Sequence, residues 1–299
     1  MKIIYGIRKI KKFRRPVAAL GVFDGVHLGH RRILESVVRR ARRVKGTSLV
    51  LTFWPHPQGK ESLYSLAHRL RLIAELGVEV CVVADFGGSF RRVSADDFID
   101  KVLVKKIGVY AVHVGKNFRF GYRASGDAAL LVSEAQKYGF KVRIFPVSRS
   151  GIITVSSTAI RSLIKRSEIK KAEKLLGRRV SVLGTVVRGS RLGRLMGVPT
   201  ANINPHHEVI PPPGIYASRI VFYKKEYRGV CYIGRRPTIV SPDSPLRVEV
   251  NIFDFHKDIY GKVLEIQFVK MIRKDRKFKN LGELSAQIGK DIAACRKIY

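Results

Sequence analysis

Ten residues near the start, Gly21-Val22-Phe23-Asp24-Gly25-Val26-His27-Leu28-Gly29-His30, combine three glycines with two histidines three positions apart. Glycines at the start of a helix let backbone approach phosphate oxygens, and the helix N-terminus adds partial positive charge. Imidazole N–H groups there can donate to charge developing on a phosphate during transfer. Further on, Ser156-Ser157-Thr158-Ala159-Ile160-Arg161 offers hydroxyl and backbone donors at a helix start. Arg161, one turn later, can hold a phosphate bidentately. Taken alone, the first segment also fits an ordinary βα turn with solvated or helix-capping histidines, and the Ser-Thr pair fits a plain N-cap.

The second half carries its own candidates. Gly189, Gly193 and Gly197 recur at a spacing of four and are followed by Val198-Pro199-Thr200-Ala201-Asn202. This is not a Walker A loop, which requires G-K-[ST], and a mobile loop between strands would show the same glycines. Glu249 lies between Val248 and Val250 in a strand-like run, so its side chain points to the face opposite theirs. A surface glutamate paired with one of the many arginines has that pattern too.

The elements that must position these residues fall into two patterns. Apolar runs at 17–22, 48–53, 78–84, 110–114 and 141–146 alternate with helix patterns at 28–43, 65–76, 95–106 and 127–138. On the first helix Ile33, Leu34, Val37, Val38 and Ala41 form one stripe, with arginines on the other face. Ser94 with Asp97 resembles a capping box. Strands separated by helices imply a parallel sheet covered on both faces. A helical, Lys-rich junction at 157–176 follows, and the pattern changes at 177–181. Beyond it, short runs at 180–187, 215–222, 227–233, 246–253 and 262–270 recur without helices between them, as expected of an antiparallel barrel or sandwich. A last helix carries Leu281, Leu284, Ile288, Ile292 and Cys295 on its apolar stripe.

With 299 residues, 45% hydrophobic and 27% charged, the chain has material for two buried cores, which excludes disorder on the scale of the whole chain. Lys and Arg number 58 against 23 Asp and Glu, a net charge of +35. There are 37 basic and 13 acidic side chains up to Val180, and 21 and 10 after it, so the basicity is general. It is densest over 1–45, with 14 basic against 2 acidic. Such charge suits nucleic acid, anionic lipid or phosphorylated substrates without choosing among them. No apolar run nears the ~20 residues that span a bilayer. No signal-type apolar core follows the basic start, so secretion is not expected. Cys81, Cys231 and Cys295 are scattered, which argues against a disulfide framework or zinc site and makes the cytoplasm the expected compartment.

The ten-residue segment resembles the FAD synthetase (FMN adenylyltransferase) part of the prokaryotic bifunctional riboflavin kinase/FAD synthetase family, within the nucleotidylyltransferase superfamily. The resemblance continues in order through Leu51-Thr52-Phe53-Trp54-Pro55-His56-Pro57, Val114-Gly115-Lys116-Asn117-Phe118-Arg119-Phe120-Gly121 and the Ser156–Arg161 block. It implies that His27 and His30 contact ATP phosphates, in a site shared by Gly21, Phe23, Asp24, Gly25, Gly29 and Asn117. Ser157, Thr158 and Arg161 would complete the phosphate cradle. The Gly189–Asn202 segment resembles the riboflavin kinase signature around P-T-A-N. By that resemblance Thr200 and Asn202 help hold Mg²⁺, Gly189, Gly193, Gly197 and Arg273 bind ATP or flavin, and Glu249 takes the proton of the riboflavin 5′-hydroxyl. Pro213-Gly214-Ile215-Tyr216-Ala217, Ile233-Gly234-Arg235-Arg236-Pro237-Thr238 and Asp258-Ile259-Tyr260-Gly261 match as well. Two positions depart from the pattern: Tyr232 stands where Asn is expected, and Val198 where Phe is usual.

The resemblance spans Pro16 to Cys295. It implies a Rossmann-like parallel-sheet adenylyltransferase domain over 1–178, then an antiparallel β-barrel kinase domain with a closing helix over 179–299. The implied reactions are riboflavin + ATP → FMN + ADP, then FMN + ATP → FAD + diphosphate, with Mg²⁺ at both sites. The expected partners are these small molecules, with no membrane and no dedicated nucleic acid. The alternatives are a single-activity enzyme with one site degraded, and a nucleic-acid-binding protein, which would lack a recognisable recognition motif.

Overall fold

The computed structural model describes residues 1–57, 59, 61–88, 90–189, 193, 197–235 and 246–299. The chain divides into two compact units, Met1–Ser62 with Leu66–Ser157, and Leu63–Ser65 with Thr158–Tyr299. The change of sequence pattern at 177–181 thus lies two helices further along the chain than the division at Ser157.

In the first unit, β1 (Lys2–Tyr5), β2 (Val17–Leu20), β3 (Ser48–Trp54), β4 (Val80–Asp85), β5 (Ala111–Gly115) and β6 (Lys141–Phe145) form one parallel sheet in the order β1-β4-β3-β2-β5-β6. Strand β1 was not expected from sequence. Its Lys-Ile-Ile-Tyr is short and lies inside the basic start, yet it pairs with β4. The helices are α1 (Leu28–Arg43), α2 (Leu66–Glu75), α3 (Ala95–Asp97, continuing in π geometry as Phe98–Ile107) and α4 (Ala128–Tyr138). Ser94 Oγ accepts from Asp97 N at 3.0 Å, as the capping pattern anticipates. Ala18, Leu20, Leu49, Leu51, Val82 and Val112 pack with the apolar sides of α3 and α4. The alternate strand residues Val17, Ala19, Val50 and Ala111 are equally buried, and α1 packs against β2, β3 and β5. The sheet is covered on both faces, as parallel sheets are. The chain builds from β2 outward through β3 and β4, then crosses to β5 on the other side of β2. The β2/β5 pair is therefore a topological switch point, with a crevice at the carboxyl ends of its strands.

The second unit starts with α5 (Ser157–Lys165, from Thr158 on) and α6 (Ile169–Leu176), separate helices with Ser167 at φ 61° between them. A closed antiparallel barrel follows: β7 (Ser181–Val187), β8 (Ala201–Asn204), β9 (Gly214–Phe222), β10 (Lys225–Gly234), β11 (Arg247–Ile252) and β12 (Val263–Lys274), in the order β7-β8-β11-β10-β9-β12. Tyr216 and Phe268, both fully buried, meet edge to face at 5.4 Å. Helix α7 (Leu281–Arg296) lies on β9, β10 and β12, with Cys295 against Ala217 and Phe253. Its predicted stripe is corrected at two places: Leu281 is exposed, and Asp291 is buried in its stead. The three-residue insert Leu63–Ser65 is held by Glu208. Ser65 donates from N and Oγ to Glu208 Oε1 at 2.9 and 2.6 Å, and Leu183 N donates to Oε2 at 2.9 Å.

Candidate active sites

At the end of β2 the chain must change direction and start α1. Phe23, Gly25 and Val26 take φ values of 54°, 82° and 39°, and a positive φ is a costly conformation for a β-branched valine. The carbonyl of Val22 accepts from Thr52 Oγ1 of β3 at 2.9 Å and from Arg69 Nη1 of α2 at 2.6 Å. His27 is the N-cap of α1: its Nδ1 accepts from His30 N at 3.3 Å. The acceptor role at Nδ1 assigns the proton of the neutral ring to Nε2. The two imidazoles stack at 3.6 Å, and Phe23 meets His30 edge-on at 5.3 Å. A side chain on Gly29 would press on the His27 ring, 3.3 Å from its Cβ position. Ser157 Oγ donates to the Asp24 carbonyl at 2.8 Å, which ties the start of α5 to this turn.

The geometry thus gathers Gly21, Phe23, Asp24, Gly25, His27, Gly29, His30 and Ser157 at the carboxyl end of β2. Asn117, exposed in the turn after the neighbouring strand β5, occupies the same end of the sheet. Thr158 and Arg161 follow on α5 and belong to the second unit. Burial pulls Arg69 below the usual arginine range, and the Asp24 carboxylate opposes that shift.

The barrel site is a matter of register. Val187, Asn202, Glu249, Tyr232, Ile215 and Arg273 are successive cross-strand partners from β7 round to β12. Directly paired residues share a face, so Asn202, Glu249, Tyr232 and Arg273 form one layer. Val248 and Val250 are buried, and Glu249 faces the other way, on the outer side of the barrel wall. Thr200 Oγ1 lies 3.4 Å from Glu249 Oε2. Gly189 makes room for Asn202, because a Cβ there would sit 2.0 Å from its amide nitrogen. Gly189 and Asn202 also line a cleft of about 510 Å³ with Arg188 and Arg247. Gly193 O accepts from Val198 N at 2.8 Å, and Gly197 has φ 72°. The remaining residues of that glycine segment, and Arg236, Pro237 and Thr238, lie outside the described residues.

Arg273 is committed to the closing helix. Its Nε and Nη2 donate to Asp291 at 2.9 and 2.7 Å, its Nη1 donates to the Lys274 carbonyl, and Phe278 lies under the guanidinium. Gln287 Nε2 donates to the same carboxylate at 2.8 Å. Tyr232 donates its hydroxyl to Asp275 at 3.2 Å. Burial first, then Asp275 and Glu249, push that phenol well above its ordinary range, so it is a neutral donor. Sequence reasoning gave no role to Tyr232, Asp291 or Arg69. The one available signal was an acid, Asp291, beside Ile292 on an otherwise apolar helix face. Among the described residues no group of three His, Cys, Asp or Glu side chains could hold a metal ion by itself.

A sequence model of the FAD synthetase family matches residues 9–159, and one of the riboflavin kinase family matches residues 176–299. The chain is 34% identical over 309 residues to the bifunctional riboflavin kinase/FMN adenylyltransferase of Escherichia coli (strain K12), covering 100% of this chain and 98% of that one. It is 33% identical to the protein of the same description from Bacillus subtilis (strain 168), over 93% and 90% of the two chains. A crystal structure described as a macrolide-efflux protein from Streptococcus pneumoniae shares the fold over 99% of both chains, with a TM-score of 0.84 and 29% identity. Among the described residues no helix is long and apolar enough to cross a membrane. The two family matches follow one another along the chain, and relatives described as carrying both activities match it over 90% or more of their length: the chain belongs to the bifunctional riboflavin kinase/FMN adenylyltransferase family.

Proposed function

We propose that the adenylyl transfer takes place at the Gly21–His30 turn, within residues 1–178, and the phosphorylation of riboflavin at the Asn202–Glu249 layer, within residues 179–299. The observation that carries the second assignment is the register that sets Asn202, Glu249 and Arg273 in one row. In the first site the FMN phosphate attacks the α-phosphorus of ATP and diphosphate leaves. His27, with its proton on Nε2, donates to the charge that develops on the phosphate oxygens, and His30 and the N-terminus of α1 add to it. In the second site Glu249 accepts the 5′-hydroxyl proton as that oxygen attacks the γ-phosphorus, and ADP leaves. Both reactions depend mainly on positioning and charge stabilisation.

Thr200 and Asn202 offer the hard oxygen donors that suit Mg²⁺, and the missing Cβ of Gly189 leaves space beside Asn202. When bound, the ion neutralises the ATP phosphates. Gly189, Gly193 and Gly197 provide backbone for the nucleotide, while Arg273, steadied by Asp291, meets flavin or nucleotide. The compartment proposed is the cytoplasm, in keeping with three unpaired cysteines.

The test is product chromatography after incubation with riboflavin, ATP and Mg²⁺. The unaltered chain accumulates FMN and FAD. The His27→Ala/His30→Ala chain stops at FMN. Glu249→Gln forms FMN ~10²–10⁴ more slowly, the usual contribution of a general base, but still converts supplied FMN to FAD. FAD formation by the histidine double variant at the normal rate, or unchanged FMN formation by Glu249→Gln, removes the corresponding assignment.

A further inference from the structure

Among the described residues Arg69 is the largest of the fully buried side chains, 1% exposed, on the inner side of α2. Only its Nη1 has a hydrogen-bond acceptor, the Val22 carbonyl; Nε and Nη2 have none among the described residues. Its guanidinium lies 5.3 Å from the centre of the Trp54 ring and close enough to Asp24 to feel that charge. Burying a cation with two donors unfilled is costly, and packing alone would favour an apolar side chain. The carbonyl it grips explains the cation. Val22 directly precedes the turn in which Phe23, Gly25 and Val26 all have positive φ, and that turn ends on His27. Backbone of this kind persists only where its surroundings over-determine it. Two donors from two different elements, Thr52 and Arg69, converge on one oxygen, and the Asp24 carboxylate favours the charged form of Arg69.

We propose that Arg69 is a positioning residue for adenylyl transfer: together with Thr52 it clamps the Val22 carbonyl and so holds the strained turn that aims His27 at the substrate phosphates. The inference rests on the assignment of that turn to the adenylyl-transfer site. Arg69 touches no substrate. Its loss leaves the binding surfaces in place but lets the turn relax, so the effect falls on kcat and not on KM.

The experiment uses the full chain, with riboflavin phosphorylation by the same protein as an internal standard for folded material. Thr52→Val, Arg69→Lys, Arg69→Met and the Thr52→Val/Arg69→Met pair are compared for kcat and KM of FMN adenylylation. Thr52→Val costs less than about threefold, because Arg69 still fills the carbonyl. Arg69→Met lowers kcat about 10–100-fold, the scale of a small misplacement of a reacting group, with both KM values within about twofold. Arg69→Lys, which keeps a cation able to donate to the Val22 carbonyl, restores most of the rate. The double variant loses more than the product of the singles, since its carbonyl has lost both donors. If Arg69→Met is unfolded at the assay temperature, Thr52→Val/Arg69→Lys is read in the same way against its own singles. A kcat within twofold of normal in all variants overturns the proposal, as does a loss that merely follows the folded fraction or falls on KM. His27→Asn is run beside them. If it too keeps full adenylylation, the site assignment has failed; if it loses activity while the clamp variants do not, the clamp alone has failed.

Discussion

The proposed site gives His27 two jobs, one for each ring nitrogen, and a single substitution can separate them. Its Nδ1 caps α1 by accepting from His30 N at 3.3 Å, and Nε2–H is the proposed donor to phosphate charge. Asparagine is among the best N-cap residues, so His27→Asn retains an acceptor for the helix while removing the imidazole donor. Alanine removes both. Loss of one preorganised donor at a developing charge costs ~10²–10³ in rate, about 2.7–4 kcal/mol of barrier. Loss of an N-cap costs about 1 kcal/mol of stability. His27→Asn should therefore form FAD from FMN ~10²–10³ more slowly while unfolding in urea at almost the normal midpoint. His27→Ala should show the same rate loss and, in addition, a lower midpoint, corresponding to about 1 kcal/mol of lost stability. The assay is FAD formation by chromatography, with riboflavin phosphorylation measured in the same samples and urea titrations alongside. Near-normal FAD formation by His27→Asn, with a loss only in His27→Ala, would falsify the donor role and leave His27 as a helix cap.

Three further outcomes follow from the geometry. Asp291→Ala strips Arg273 of its buried partner and should destabilise the barrel unit by about 3 kcal/mol, the low end for a broken buried pair because Arg273 keeps a fifth of its side chain in water; an unchanged urea midpoint would contradict it. His113, buried in β5 and repelled by Arg143 and Arg40, is drawn down to about 4. Between pH ~6.5 and that value the unfolded chain binds a proton that the folded chain refuses, so stability is full above ~6.5 and declines as pH falls through the window. His113→Phe should flatten that stretch of the stability curve, and an unaltered slope would show that other groups set it. The arginine face of α1, with Arg31 and Arg39 near Glu35 and Arg32, Arg40, Arg42 and Arg43 alongside, should bind DNA and RNA oligomers weakly and without sequence preference. That binding should fall with salt at a log–log slope near ~0.9 per phosphate neutralised, and tight, sequence-ranked binding at physiological salt would reveal a specific partner.

Where local pattern decides structure, the sequence was readable. Helix α1 occupies 28–43, the span expected from sequence with its apolar stripe from Ile33 to Ala41, and the alternation of strands and helices before residue 150 leads to the covered parallel sheet. Strand β8 was missed because Ala-Asn-Ile-Asn has one buried apolar residue in four and takes its conformation from β7 and β11. The helical junction was read as one piece, yet it breaks at Ser167, whose positive φ no local motif announces. Motifs pointed to Glu249, Asn202 and Arg273 singly, but only the register shows them in one layer, with Tyr232 between Glu249 and Arg273. Arg69 and Asp291 were illegible for another reason. Residue type does not set them apart from the other basic and acidic side chains; among the described residues Arg69 is buried, and Asp291 shares burial with Asp24, Glu208 and Glu265, and burial is a tertiary property.

The hold of Glu208 on Ser65 bears on how the protein is made. The two residues are 143 positions apart, so during synthesis the Leu63–Ser65 stretch leaves the ribosome long before its carboxylate exists. The whole parallel-sheet unit can form around that gap first, because its own residues resume at Leu66. The barrel unit cannot be completed by its own contiguous stretch, which starts at Thr158. A barrel expressed alone would hold Glu208 with Leu183 N and without the two donors of Ser65, whereas a peptide spanning Leu63–Ser65 carries the missing donors. The seam between the two units is therefore not a single peptide bond. Swapping barrels between relatives means transplanting three residues from the first half of the chain as well.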